Sequence, residues 1–96
     1  MPLFRCMIRG ENFPGQLIGQ KGLVGFYTTR FVEADNAEEA ELAGLEVLRT
    51  DPDLEIRSEK LRQQEPLAKV YFEEIVEVAE DTDRVPNEGA TWFGME

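Results

Sequence analysis

The chain has no histidine, one cysteine and one serine among 96 residues, and these shortages narrow its chemistry before any motif is sought. Without histidine it lacks the commonest general base at neutral pH and the commonest metal ligand. Cys6 alone can neither close an intramolecular disulfide nor build a cysteine metal cluster. It has no histidine to activate it, and its place on an apolar strand pattern reads as a small buried hydrophobe. Ser58 stands in a polar stretch without the glycines of a nucleophile elbow. No apolar run approaches the ~18 residues of a membrane span, and Met-Pro-Leu-Phe-Arg at the start lacks an apolar core of signal-peptide length. No metal or cofactor is expected, and the expected compartment is the cytoplasm.

What remains is enough for one core. The apolar fraction is 42%, and nine aromatics are present. A chain of this length buries roughly two-thirds of its unfolded surface. The reading is a single α+β domain over residues 1–96, with 80–96 a loop followed by a short edge strand or tail. Net charge is −10, unevenly spread. Residues 1–30 carry Arg5, Arg9, Lys21 and Arg30 against Glu11 alone, a net of +3, and the remainder carries −13. An acidic whole repels nucleic acid at long range, whereas a local basic face can act at short range.

Residues 3–9 alternate with period two, placing Phe4, Cys6 and Ile8 on one face. Residues 10–22 hold four glycines and Pro14, which is loop composition. Residues 23–34, dense in β-branched and aromatic side chains, read as a long strand. Phe26 and Val32 share one side of it, Tyr27 and Phe31 the other. Asn36 then opens a helix as a capping-box variant with Glu39, and Ala37, Ala40, Gly44, Val47 and Leu48 share a face. Thr50-Asp51-Pro52-Asp53 stops it. A short helix is expected around residues 58–64.

Residues 68–80 read as a third strand, with Val70, Phe72, Val76 and Val78 on one face and Lys69, Tyr71, Glu73, Ile75 and Glu77 on the other. Glu74 falls on the apolar side, which suggests a bulge near residues 73–74. The sum is a two-layer sandwich, an antiparallel sheet of three to four strands with one long helix. A ferredoxin-like variant is one form it can take, although no helix follows the first strand.

"LIGQKGLV", residues 17–24, resembles the Gly-x-x-Gly loop of K-homology RNA-binding domains. That resemblance implies phosphate contacts by Gly19, Gln20, Lys21 and Gly22. In that family the loop joins two helices; here the flanks read as breakers before it and strand after it, so a glycine hairpin loop is the competing reading. Other motifs fail on spacing. From Gly15, the second P-loop glycine position holds Gln20, and Lys21 is followed by Gly22 rather than Ser or Thr. A calcium loop from Asp81 would need glycine and glutamate where Pro86 and Trp92 stand. Glu73 and Glu77 on one strand face lie roughly 13 Å apart, beyond the ~9.5 Å of glycosidic carboxylate pairs. Catalysis is therefore not expected.

The sheet face away from the helix is the more promising surface. Arg5, Met7, Arg9, Tyr27, Arg30, Tyr71, Glu73 and Glu77 are placed on it, with Trp92 and Phe93 near the C-terminus serving the interface or capping the core. Pairs such as Arg5 or Arg9 with Glu73 or Glu77 would each add a few tenths of a kcal/mol. The functional expectation is a small non-catalytic binding or regulatory module working through protein contacts, with a homodimer the expected assembly. The alternatives are nucleic-acid binding through the basic N-terminal third, and an acidic inhibitor- or immunity-like partner of a basic protein, using Glu38, Glu39, Glu41 and Glu46.

Overall fold

The alternating segment at the N-terminus forms strand β1 (Leu3–Pro14), and the β-branched, aromatic segment after it forms β2 (Leu23–Glu33). Helix α1 (Ala37–Arg49) follows, then β3 (Lys69–Val78) and β4 (Thr91–Met95). This computed structural model describes residues 1–54, 67–84 and 90–95. The short helix expected at residues 58–64 lies outside the described residues.

All strand pairs are antiparallel, in the order β3-β1-β2-β4, and α1 packs on one face of the sheet. The α+β sandwich is thus the observed fold. Strands β1 and β2 are consecutive with no helix between them, unlike the βαββαβ ferredoxin-like order. Among the described residues no helix is long and apolar enough to cross a membrane.

The glycine-rich stretch from residue 10 is not all loop. Strand β1 continues to Pro14, and only residues 15–22 make the connection, as a 3-10 turn at Gly15–Ile18 followed by Gly19 in a left-handed conformation, φ 71°. Gly10 serves packing rather than turning, because the buried Phe26 ring occupies the place where its Cβ would stand. One extra residue sits between Gly10 and Phe13, where Asn12 takes φ 61°, a conformation asparagine tolerates. The bulge returns Phe13 to the face that α1 covers.

The α1 start behaves as its sequence dictates. Asn36 Oδ1 accepts from the Glu39 N–H at 2.9 Å, and the Glu39 carboxylate accepts from the Asp35 N–H at 3.3 Å. Ala40, Gly44 and Leu48 form its buried stripe. Gly44 lets the helix approach closely: a Cβ there would stand 2.8 Å from the Phe72 ring.

Strand β3 carries its own bulge, and this corrects the assignment of faces. Met7 pairs with Glu74 while Ile8 pairs with Phe72, so Glu73 is the extra residue. Past it the alternation flips. Val70, Phe72, Ile75 and Glu77 take the helix-covered face, and Lys69, Tyr71, Glu74, Val76 and Val78 the open one. The bulge absorbs Glu74, which would otherwise have faced the core.

Candidate functional site

The register lays out the open face in rows across β3, β1 and β2: Tyr71–Arg9–Tyr27, then Glu74–Met7–Thr29, then Val76–Arg5–Phe31. Arg5 and Arg9 project on the same side because they are four residues apart on a strand of period two. Each bonds towards β3. Arg5 reaches the Glu74 carboxylate at 3.1 Å, and Arg9 reaches Glu73 at 3.6 Å and Glu11 at 3.6 Å. The Arg9 guanidinium also lies 5.0 Å from the centre of the Tyr71 ring, within cation–π range. Both Nε–H groups are covered and lack an acceptor among the described residues, which leaves the terminal nitrogens to make the ion pairs.

Apolar side chains fill the spaces between these charges. Met7 stands exposed at the centre, with Tyr27 and Tyr71 exposed on the flanking strands. The Phe93 ring covers Gly25 and lies 5.3 Å from the Tyr27 ring. At the other end the face closes. Leu3 and Phe31 are buried there, and Arg84, six residues beyond β3, reaches Glu33 at 3.0 Å.

Arg5, Met7, Arg9, Tyr27, Tyr71, Glu73 and Phe93 therefore come together as one surface; Arg30, Glu77 and Trp92 do not join it. Arg30 shares its side of β2 with Phe26 and Val32, the side beneath α1. It is buried, bonds Asp51 at 3.0 Å through its terminal nitrogen, and donates from Nε to Thr28 Oγ1 at 3.1 Å. Asp51 lies in the turn after α1, so the pair ties the helix exit to the sheet. Glu77 was moved by the bulge. Trp92 pairs with Phe26 and packs on the core with rings 5.2 Å apart. Glu74, Thr29 and Val76 belong to the open face although the sequence pattern did not place them there; the misfit of Glu74 was the available signal.

The glycine loop joins a 3-10 turn to a strand, not two helices. It is closed on itself: Gly15 N–H donates to the Gly22 carbonyl at 2.8 Å and Gln20 N–H to the Gly15 carbonyl at 2.9 Å. Gly19, Gln20, Lys21 and Gly22 are exposed. Of the four loop residues, Gly19 and Gln20 thus have their amides bonded within the turn.

Two further features carry little chemistry. Burial raises the Cys6 thiol from 9.0 to about 11, with the Glu41 carboxylate adding to the effect, so it stays protonated and unreactive at neutral pH. A cavity of about 200 Å³ lies between α1 and the sheet, lined by Phe13, Phe26, Leu45, Leu48, Leu54 and Val70 with Arg49 at its lip. Arg49 is exposed and paired with Glu46 at 3.6 Å, and it is the one titratable group of this lining among the described residues. No protein-family model, curated protein or solved structure matches this chain.

Proposed function

We propose that the protein is a non-catalytic binding module of the cytoplasm that engages a protein partner through the open face of its sheet. The observation that carries this is the composition of that face: Arg5, Met7, Arg9, Tyr27, Tyr71 and Phe93. Arginine, tyrosine, phenylalanine and methionine are the side chains enriched at protein interfaces over other surface. The face is also neutral. Arg5, Arg9, Lys69 and Arg84 are balanced by Glu11, Glu33, Glu73 and Glu74, in a chain of net charge −10. A neutral, mixed-charge surface suits a protein partner better than a polyanion. The acids lie against the arginines of the N-terminal third, which counts against nucleic-acid binding.

The test is site-specific photocrosslinking in the protein's own cells. A benzophenone side chain replaces Tyr71 on the open face or, in a second variant, the exposed Leu42 of α1. The expected result is a polypeptide adduct from position 71 and none from position 42. An adduct from position 42 alone would transfer the function to the acidic helix, where Glu38, Glu39, Glu41 and Glu46 are exposed. An RNA adduct from position 71 would also overturn the reading.

A further inference from the structure

We infer that the partner of the open face is a second copy of this chain, related by a two-fold axis that runs along the strands between β1 and β3. The inference rests on the reading of this face as a protein interface and adds the identity and orientation of the partner. Its basis is the arrangement of charge. The positive groups Arg5 and Arg9 stand on β1, and the negative groups Glu73 and Glu74 on the adjacent β3. Neighbouring strands lie about 4.8 Å apart, so the two stripes run side by side.

An isologous interface must be complementary to itself. For two sheets packed face to face in the aligned manner, only some axes satisfy these stripes. An axis along β1 lays each arginine on an arginine of the copy. An axis across the strands brings Arg5 over Arg9 of the copy. An axis along the strands midway between β1 and β3 lays β1 of each copy over β3 of the other, so that Arg5 and Arg9 flank the copy's Glu73 and Glu74 from the neighbouring rows, about 7 Å to either side. It also carries each Tyr71 ring over the Arg9 position of the copy, extending the cation–π contact already present within one chain.

The remaining surface argues for self-recognition over a foreign partner. A basic partner would be drawn instead to the exposed glutamates of α1, and the −10 charge carried by each copy opposes association at long range, so the stripes act only at contact distance. A neutral face bearing both stripes is met by a face of the same pattern. The open area is modest because Leu3 and Phe31 are already covered at one end. Two strands about 10 Å wide over a ~20 Å length fall below the ~800 Å² per partner of a standard interface, so the dimer is weak. Its dissociation constant is expected on the order of tens of micromolar.

Sedimentation velocity of the full chain from about 5 µM to about 1 mM tests this directly, since that range brackets the expected constant. The wild type should pass from monomer to dimer over that range. Arg5→Glu with Arg9→Glu should weaken self-association at least about tenfold, and so should Glu73→Arg with Glu74→Arg. Mixing the two doubly substituted chains should restore a dimer containing one of each. Circular dichroism on each variant confirms that it folds, and heterodimer recovery cannot arise from unfolded chains. A wild type that remains monomeric at 1 mM overturns the inference, and so does a dimer indifferent to both charge reversals. If such a monomer still gives a foreign polypeptide adduct from position 71, the binding-face reading stands and only the second copy falls.

Discussion

Arg30 and Arg5 lie on adjacent strands, one pair apart in register, and face opposite sides of the sheet. Each makes an ion pair of about the same length, 3.0 Å to Asp51 and 3.1 Å to Glu74. Their surroundings differ. The Arg30–Asp51 side chains are 4% and 13% exposed, and the Arg5–Glu74 side chains 42% and 47%. Under α1 both charges have given up water, so losing either partner strands the other in a poor dielectric. On the open face, water screens the pair and replaces whatever is removed. The same chemistry is thus part of the fold on one face and a replaceable surface pattern on the other. A binding face can change its charges only where the fold does not depend on them.

Substitutions break this comparison in a definite order. Arg30→Ala should cost about 3–5 kcal/mol in urea unfolding, because it removes the buried guanidinium with its bonds to Asp51 and Thr28. Gly10→Ala comes next, at about 3 kcal/mol, since the new methyl would meet a Phe26 ring that is fully buried and cannot turn aside. A thermal melt showing Gly10→Ala as stable as the wild type would contradict that packing. Alkaline pH probes the covered face without a substitution at the ion pair. The Cys6 thiol ionises near 9.0 when unfolded and near 11 when folded, so the contribution is intact below pH 9 and lost as pH rises towards 11. The loss approaches about 3 kcal/mol, and it should vanish in Cys6→Ala when the two pH–stability curves are subtracted.

On the open face the effects shrink. Gly25→Ala places a methyl against the Phe93 ring, which sits half-buried on an edge strand and can swing outwards, but also 2.8 Å from the Gly10 carbonyl oxygen, which is backbone and cannot, so about 2 kcal/mol is expected. Arg5→Ala should change stability by less than about 0.5 kcal/mol in the same urea experiment. If Arg5→Ala proved as damaging as Arg30→Ala, the distinction between the two faces would fail.

Much of this fold was legible in the sequence because its signals are local. Asn36 and Glu39 are three residues apart, and the helix they open began where the cap placed it. Period-two alternation located β1 and β3, and the density of β-branched and aromatic side chains located β2. What escaped the pattern depended on contacts distant in the chain. Arg30 shares parity with Phe26 and Val32, so alternation alone put it inside; its charge argued the reverse. The partner that resolves the conflict, Asp51, is 21 residues away beyond the helix. Residues 10–14 looked like loop because glycine is usually a breaker, yet Gly10 is needed to admit a ring from the next strand. The open face was readable on β1, where no residue is inserted before Gly10. It was misread on β3 past Glu73, because one inserted residue exchanges every later side chain between faces.

That inserted residue matters beyond the face it rearranges. Strand β3 is ten residues long, rich in valine and aromatics, and forms an outer edge of the sheet. Among the described residues no strand pairs with its outer row of backbone donors and acceptors, the kind of template on which further chains can add without limit. The Glu73 bulge breaks the regular spacing of that row near its middle, and Glu73 and Glu74 set two negative charges at the break. An incoming strand of the same sequence would have to bring its own two carboxylates against them. Growth by edge addition is therefore interrupted near the middle of the strand.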